Sequence, residues 1–349
     1  MKRALAAGRS VRGRTAPNPW VGAVVVPRGV AYVGGELATV DGAAGPGAVM
    51  GATQPPGGPH AEVVALDAAG AAAAGGTLYV TLEPCAHHGR TPPCVDAIIA
   101  AGIRRVVVGQ VDPDPNVAGQ GIDRLRSSGI EVDVIGEPIA SEVRAQLEAY
   151  THQRSTGRPF VVLKLAATLD GRTAAPDGSS RWITGAAARA DAHRLRAWSD
   201  AVVVGAGTVQ ADDPELTVRL PSGDPDYRDA DEQPLRVVLG TAPAGSRVHP
   251  ALELSGEPAD VVATLAQRGA MQVLVEGGAT VAHAFFASGL VDLVVVYLAP
   301  ALFGGDDGHP LFAGPGAPTI GDLWRGDIRA VTSLGVDLRV ELVARTGPS

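Results

Sequence analysis

The chain has 349 residues, of which 46% are hydrophobic and 19% charged, so it can fill the cores of two or three domains and is not expected to be disordered. The net charge of −8 at pH 7 argues against the basic surface with which a nucleic-acid-binding protein neutralises phosphates. No apolar run reaches the roughly 18 residues of a membrane span, and the first residues lack the apolar core of a signal peptide. We therefore expect a cytoplasmic protein with no nucleic-acid or membrane partner.

Short β-branched runs alternate with helical patterns in the first half of the chain. The predicted strands cover residues 21–26, 77–82, 104–109 and 130–136, and the predicted helices cover 60–75, 94–102 and 119–129. This alternation predicts a mostly parallel sheet covered by helices. Residues 27–59 form an unusually long connection, rich in glycine and proline, that is placed to cover or reshape the surroundings of His60.

A polar segment with a helical pattern, residues 137–159, joins the two halves, and we place the domain boundary near residue 150, which gives domains 1–150 and 151–349. The second half resumes the alternation. Its predicted strands lie within 160–172, 200–208, 234–240, 291–300 and 338–345, its predicted helix covers 184–199, and residues 266–289 contain a strand, a glycine turn and a helix. Residues 221–234 are predicted to be an acidic surface loop. No internal repeat is visible, so the two halves are expected to be different domains.

His60, Cys85 and Cys94 are residue types that bind Zn²⁺, and a reducing compartment favours thiolate ligands over a disulfide. Three protein ligands leave the fourth position for water, whose pKa zinc lowers from about 15.7 toward 7. Glu62 follows His60 by two residues, which do not share a helix face; if His60 begins the helix, however, the Glu62 side chain can still reach the same cavity. Cys94 should begin its own helix, whose dipole would favour the thiolate. The alternative is a closed structural site or simple packing.

Several motifs carry a resemblance to a known family. His-x-Glu followed by Pro-Cys and a second cysteine is the signature of the zinc-dependent nucleobase deaminases. Eight residues separate Cys85 from Cys94, and this longer loop, "EPCAHHGRTPPC", together with "TAPNPWVGAVVV", resembles the deaminase half of the bifunctional deaminase–reductase of riboflavin biosynthesis. The stretches "KLAATLDGRTAAPDGSSRWIT", "GAGTVQADDPELTVR" and "VLVEGGATVAHAFF" are similar to its reductase half. The resemblance therefore covers nearly the whole chain.

The resemblance implies an α/β chain in which a cytidine-deaminase-like α/β/α domain precedes a dihydrofolate-reductase-like α/β domain. It implies Zn²⁺ and NADPH as cofactors, a phosphorylated pyrimidine as substrate, and a homo-oligomer. Glu62 would take a proton from the zinc-bound water and pass it on as ammonia leaves. Asn18 would read the pyrimidine edge with its amide, and His87, His88 and Arg90 would meet the phosphate. Turn chemistry at Asn18 and loop solvation at the other three are the alternatives.

In the second half, the resemblance assigns Lys164 to the reducing centre. A lysine at the end of an apolar strand, as Lys164 is predicted to be, is costly without a partner, although it could also extend to water. The residues that match NADPH contacts of the family are Ala166, Trp182, Thr208, Asp212, Thr241, Gly278, Ala279, Thr280, Val281, Ala282, His283 and Ala284. Those that match substrate contacts are Ser180, Arg196, Leu216, Arg219 and Glu276. Arginine binds phosphate oxygens bidentately, but Arg196 could instead lie on a solvated helix face.

The sequence thus predicts a two-step enzyme. It would deaminate 2,5-diamino-6-ribosylamino-4(3H)-pyrimidinone 5′-phosphate with zinc, and then reduce the ribosyl side chain with NADPH to give 5-amino-6-ribitylaminouracil 5′-phosphate. One alternative is a zinc deaminase of another nucleobase or nucleotide with an attached nucleotide-binding domain. The other is a non-enzymatic module in which zinc is structural and the second half only binds a nucleotide.

Overall fold

The computed structural model describes residues 1–33, 36–39, 47–89, 91–114 and 117–345, with the backbone alone at 31–33 and 36–39. The chain divides into two compact units, Met1–Gly157 and Arg158–Ser349. The boundary predicted near residue 150 falls inside a helix, Glu148–Thr156, which ends at Gly157 with a φ of 74°. This helix belongs to the first unit because Ala149 and Tyr150 are buried there.

Among the described residues, the first unit contains a five-stranded sheet in the order β4-β1-β5-β6-β7 and a separate hairpin, β2-β3. The strands are β1 Gly22–Val26, β2 Val30–Val33, β3 Glu36–Thr39, β4 Val49–Ala52, β5 Thr77–Val80, β6 Arg105–Val108 and β7 Glu131–Val134. The helices are α1 Lys2–Ser10, α2 Ala61–Ala69, α3 Cys94–Ala100, α4 Gln120–Ser127, α5 Ile139–Gln146 and α6 Glu148–Thr156.

The prediction of a mostly parallel sheet is confirmed for β5, β6 and β7 and wrong for β1. The first three strands pair in parallel, whereas β1 is antiparallel to both of its neighbours, β4 and β5. The stretch 27–59, which we expected to be a connection, supplies the β2-β3 hairpin and the edge strand β4. Strand β1 can therefore pair with β4 without the helical crossover that a parallel pair needs.

Close backbone contacts place helices α1 and α2 directly on the sheet. A Cβ added to Gly22 on β1 would lie 1.9 Å from the carbonyl oxygen of Ala4 on α1. A Cβ added to Gly51 on β4 would lie 2.3 Å from the carbonyl oxygen of Ala61, the first residue of α2. These glycines let the helix backbones approach the strands, and the second contact fixes the start of α2 beside the sheet.

Among the described residues, the second unit contains an eight-stranded sheet in the order β12-β11-β10-β13-β8-β14-β17-β16 and a small pair, β15-β9. The strands are β8 Phe160–Thr168, β9 Arg172–Ala174, β10 Ala201–Gly205, β11 Leu235–Leu239, β12 Leu252–Leu254, β13 Gln272–Val275, β14 Leu293–Ala299, β15 His309–Pro310, β16 Gly326–Leu334 and β17 Asp337–Ala344. The helices are α7 Ala186–Ala197, α8 Ala206–Asp212, α9 Pro258–Gln267 and α10 Ala279–Ala287.

The predicted strands of the second half are confirmed as β8, β10, β11, β14 and β17, and the pairings from β12 to β14 are parallel. The predicted strand 200–208 is too long, because β10 ends at Gly205 and α8 begins there. Helix α9 was not predicted, although it begins with Pro258 and a capping box between Glu257 and Asp260. That signal was available in the sequence.

The segment 221–234 contains no helix or strand, but the prediction of a surface loop is wrong for part of it. Asp226 and Arg228 are buried. Asp226 accepts a hydrogen bond of 2.7 Å from the Trp198 indole, and Arg228 donates one of 2.6 Å to the carbonyl oxygen of Ala197. Both charged side chains thereby attach the loop to the end of α7. Among the described residues, no helix combines the length and the apolarity needed to cross a bilayer.

Candidate active sites

The two cysteines and His60 converge at one end of the first sheet. His60 is the extended N-cap residue of α2, Cys94 is the first residue of α3, and Cys85 lies in the loop after β5. The His60 Nδ1 atom is 3.2 Å from the Cys94 Sγ atom and 3.7 Å from the Cys85 Sγ atom. All three potential ligand atoms lie within 4.8 Å of one another, which is the spacing of groups that share one ion.

The charges of these groups fit a divalent cation. Hydrogen bonds from the Cys94 thiol and from His60 lower the pKa of Cys85 to about 4, against the effect of burial. The neighbouring Cys85 sulfur and burial raise the pKa of Cys94, which is the opposite of the effect expected from the helix dipole. The protein alone therefore stabilises one thiolate of the pair, and a cation between the sulfurs is what would keep both ionised.

Glu62 lies beside this cluster and is buried. Burial, together with the charge of Cys85, raises the pKa of Glu62 to about 7. Glu62, His60 and Cys85 line one cavity of about 220 Å³, called here the Glu62 cavity. His60 and Glu62 reach the same cavity although they are two residues apart. His60 precedes the helix with an extended backbone, whereas Glu62 belongs to the first turn of the helix.

The loop residues predicted for the first site are placed differently from one another. Asn18 lines the Glu62 cavity, and its backbone is held in a turn by hydrogen bonds of 2.7 and 2.8 Å with Thr15. His87 lines the same cavity, whereas His88 is exposed and is not among the lining residues. Arg90 lies outside the described residues. An adjoining cavity of about 290 Å³ is lined by Gly57 and Gly58 together with the shared residues Asn18, His60, Cys85 and His87, so part of the long connection does border the entrance.

Three functional candidates in the Glu62 cavity were not predicted: Glu83, Asp112 and Tyr150. The buried carboxylate of Glu83 accepts hydrogen bonds of 2.9–3.2 Å from backbone N–H groups, those of Asp112, Gly119, Gly121 and Ile122. Tyr150, on α6, donates its hydroxyl hydrogen to Asp112 at 3.0 Å. Glu83 thus holds the loop that carries Asp112, and Tyr150 orients the Asp112 carboxylate. The partners are distant in sequence, so no local motif announces them.

The second unit contains a cavity of about 400 Å³, called here the Glu276 cavity, that brings together most of the residues predicted for the reductase. The predicted residues among those lining it are Lys164, Ala166, Ser180, Trp182, Arg196, Thr208, Asp212, Leu216, Arg219 and Glu276. These positions come from four separate stretches of sequence. Their convergence in one cavity is what the motif matches alone could not establish.

A buried ion cluster forms the centre of this cavity. Arg196 donates to both carboxylate oxygens of Glu276, at 2.6 and 3.0 Å, and the Lys164 Nζ atom is 3.7 Å from Glu276 Oε2. Burial alone would raise the pKa of Glu276, but Arg196 and Lys164 lower it to about 2. Lys164 lies in the middle of β8 rather than at its end, and its side chain is 21% exposed while that of Arg196 is 13% exposed. The alternatives, in which Lys164 extends to water and Arg196 lies on a solvated helix face, are therefore wrong.

Some predicted cofactor residues do not line the Glu276 cavity. Thr241 is exposed and lies outside the lining. The stretch Gly278–Ala284 starts α10, and the Gly278 N–H donates to the hydroxyl of the cavity residue Thr208 at 3.2 Å. Ala282 is fully buried in the hydrophobic core of the unit. The ring of His283 packs against Gly314, where an added Cβ would lie 2.2 Å from it.

Several cationic residues of the cavity were missed: Arg181, Arg189 and Arg247. The Arg189 guanidinium lies 4.4 Å from the centroid of the exposed Trp182 ring, and Arg181 donates to the carbonyl oxygen of Asp212 at 2.7 Å. Arg247 pairs with Glu215. Arg181 falls inside a quoted motif and Arg189 lies on the predicted helix 184–199, so a search for every arginine near these motifs would have found two of the three.

Comparison with known proteins assigns the two units to known families. A family described as the cytidine and deoxycytidylate deaminase zinc-binding region matches residues 1–110, and the RibD C-terminal domain matches residues 159–339. The riboflavin biosynthesis protein RibD of Mycobacterium tuberculosis is 42% identical over 346 residues, which cover 96% of this chain and 94% of that protein. The chain belongs to the RibD family. RibD of Escherichia coli is 39% identical, with 98% of each chain covered.

Solved structures of RibD proteins agree along the whole length. RibD of Acinetobacter baumannii superimposes with a TM-score of 0.83 at 36% identity, covering 99% of this chain and 98% of that one. A diaminohydroxyphosphoribosylaminopyrimidine deaminase/5-amino-6-(5-phosphoribosylamino)uracil reductase of Thermotoga maritima gives 0.80 at 33% identity, covering 99% and 97%. This RibD-family chain is accordingly a bifunctional enzyme of riboflavin biosynthesis, with a zinc-binding, cytidine-deaminase-like domain and a dihydrofolate-reductase-like reductase domain. The resemblance and the fold class inferred from the sequence are confirmed.

We expect Glu83→Gln to lower the free energy of unfolding by about 1–3 kcal/mol, because the new amide NH₂ faces backbone N–H groups and leaves buried donors without an acceptor. Urea denaturation of the full-length chain measures this. Glu142→Gln, at an exposed position of α5, is the matched control. Equal unfolding free energies for the two variants would show that Glu83 does not hold the loop.

Proposed function

We propose that this chain catalyses both steps on a phosphorylated pyrimidine. The first would be the zinc-dependent deamination of 2,5-diamino-6-ribosylamino-4(3H)-pyrimidinone 5′-phosphate, and the second the NADPH-dependent reduction of the ribosyl side chain to give 5-amino-6-ribitylaminouracil 5′-phosphate. The observation that carries the proposal is that a buried carboxylate, Glu62, shares a cavity with His60 and Cys85, next to Cys94. The name of the Thermotoga maritima relative agrees with the same pair of reactions.

In the deamination, His60, Cys85 and Cys94 would hold zinc, which supplies a water acidified toward a pKa of about 7. Glu62, a carboxyl buried in the same cavity, is suited to accept a proton and to donate it again. It would take a proton from the attacking water and pass it to the departing amine. The ring carbon gains oxygen, its bond to the amino nitrogen breaks, and ammonia leaves. Asn18 would orient the pyrimidine with its amide.

In the reduction, NADPH supplies a hydride when it is bound. We expect the hydride to reach the sugar carbon attached to the amino group as the bond between that carbon and the ring oxygen breaks. Lys164, whose Nζ atom is 3.7 Å from Glu276 Oε2, would donate the proton that the ring oxygen then needs. Arg196 and Arg219 would bind the substrate phosphate.

The choice of NADPH is supported by the charge of the Glu276 cavity. Its arginines are Arg181, Arg189, Arg196, Arg219 and Arg247. With Lys164 they outnumber the acidic residues of the lining, Asp212, Asp213, Glu215 and Glu276. A local positive excess in a chain of net charge −8 suits ligands that carry several phosphates, as NADPH and a sugar phosphate do together.

Glu62→Gln should abolish ammonia release, because the amide cannot carry the proton, while zinc content and NADPH oxidation with the deaminated pyrimidine stay unchanged. General acid–base groups contribute about 10²–10⁴-fold to rate, so a loss of at least this size is expected. Ammonia release and NADPH absorbance are followed on the same preparation, and bound zinc is measured by atomic spectroscopy. Loss of both activities together would contradict two independent sites.

Lys164→Met should lower kcat/KM of the reduction by about 10²-fold or more, because methionine keeps the packing and removes the proton donor. Deamination should continue at the rate of the unsubstituted chain. Lys2→Met is the control, since Lys2 is the other lysine of the sequence and is exposed on α1. A reductase that tolerates Lys164→Met as well as Lys2→Met would remove Lys164 from the mechanism.

The chain is also proposed to form a homo-oligomer, and the second unit supports this with exposed apolar side chains on and near its last two strands. Ile328 on β16 is 65% exposed and Val336, between the strands, is 75% exposed. Such side chains on an edge strand favour burial against another copy.

If this surface is the contact, Ile328→Asp should shift the full-length chain to a smaller mass in light scattering after size exclusion. Val134→Asp, at an exposed apolar position of β7 in the first unit, should leave the mass unchanged. A monomeric unsubstituted chain would contradict the oligomer itself.

A further inference from the structure

The segment that follows α8 in the second unit has a strained backbone. Asp213 and Leu216 have φ values of 41° and 54°, in the left-handed region that residues other than glycine rarely adopt. Leu216 is also buried, and the segment from Asp213 to Arg219 contributes Glu215, Leu216 and Arg219 to the Glu276 cavity. Such strain persists only where the surroundings hold the backbone firmly.

Hydrogen bonds to three successive backbone groups hold this segment. The carbonyl oxygen of Thr217 accepts from the Arg196 guanidinium at 3.0 Å. The N–H of Val218 donates to the Gln233 side-chain oxygen at 2.7 Å. The N–H of Arg219 donates to the Nδ1 atom of His193 at 3.2 Å. The last contact connects the backbone of a predicted substrate residue to a histidine that no motif singled out.

His193 can accept this hydrogen bond only if its Nδ1 atom carries no proton. Burial and the nearby charges of Arg196 and Arg219 lower the pKa of His193 to about 4, so the ring is neutral at neutral pH. Nδ1 also lies 3.1 Å from the Thr217 carbonyl oxygen, which accepts from the Arg196 guanidinium, so the ring contacts two of the backbone groups of this segment. Within the described part of the chain, the Arg219 N–H makes no other hydrogen bond, and we therefore assign the ring proton to Nε2, which leaves Nδ1 to accept.

We propose that His193 is a positioning residue of the reductase, whose Nδ1 atom holds the Leu216–Arg219 backbone in the geometry that binds the pyrimidine phosphate. His193 lies on α7 between Arg189 and Arg196, at the i, i+4 and i+7 positions of one helix face, and both arginines line the Glu276 cavity. On this face of α7, Arg189 and Arg196 therefore line the cavity, while His193 accepts a hydrogen bond from the backbone of the neighbouring segment. This inference rests on the proposed reductase function.

The experiment compares three variants of the full-length chain: His193→Ala, His193→Asn and His193→Gln. Asparagine places an acceptor near the position of Nδ1, alanine supplies none, and glutamine places its acceptor near Nε2. Each variant is assayed with the deaminated pyrimidine and NADPH, and its kcat and its KM for NADPH report that the reductase unit is folded.

His193→Ala and His193→Gln should raise the KM for the pyrimidine about fivefold, which corresponds to one lost hydrogen bond, with kcat and the KM for NADPH unchanged. His193→Asn should restore the KM to that of the unsubstituted chain. An unchanged KM in His193→Ala would overturn the proposal, as would an Asn variant as impaired as the Ala variant or an equal rise in the KM for NADPH. If the unsubstituted chain releases ammonia but does not oxidise NADPH, the reductase function itself fails, and the proposal with it.

Discussion

Two sulfurs and an imidazole nitrogen that lie within 4.8 Å of one another set the chemistry of the first unit. A hydrogen bond from the Cys94 thiol lowers the pKa of Cys85 and raises that of Cys94, and two thiolates this close would repel each other. A divalent cation removes this repulsion, and so ties together the loop after β5 and the first turns of α2 and α3. The first turn of α2 buries the Glu62 carboxyl beside the same cluster.

The second unit solves a related problem with ion pairs. A carboxylate as buried as that of Glu276 is costly unless opposite charges surround it, and Arg196 and Lys164 provide them from α7 and β8. Glu276 follows the end of β13 directly, and Cys85 lies in the loop that begins after Val80, the last residue of β5. Both sites therefore use the carboxyl ends of strands, where side chains from neighbouring parallel strands and their helices converge.

The sequence was most informative where the function needs particular residue types at short spacing. His60, Glu62, Cys85 and Cys94 could be picked out because their chemistry is rare, and the apolar runs predicted β5, β6, β8, β10 and β14. Strand β1 was assigned to the wrong kind of pairing, because direction depends on a hairpin and an edge strand hidden in a glycine-rich stretch.

Residues that act through long-range contacts could not be predicted in this way. Glu83 and Tyr150 reach partners 29 to 39 residues away, and an isolated glutamate or tyrosine carries no signal of that. The family resemblance assigned Ala282 and Thr241 to the NADPH site. A motif match, however, does not show which way each side chain points. The buried Asp226 and Arg228 show that an acidic composition does not by itself place a loop in solvent.

Helix α6 has a consequence for how the enzyme can be divided. Tyr150 and Arg154 on this helix form part of the wall of the Glu62 cavity, and Tyr150 holds Asp112 there. A fragment cut at the boundary predicted near residue 150 would remove Arg154 from that wall and end α6 at Tyr150, while leaving His60, Cys85 and Cys94 in place. Expressed alone, the deaminase half should therefore extend through Gly157, and a shorter piece would bind metal around an opened pocket.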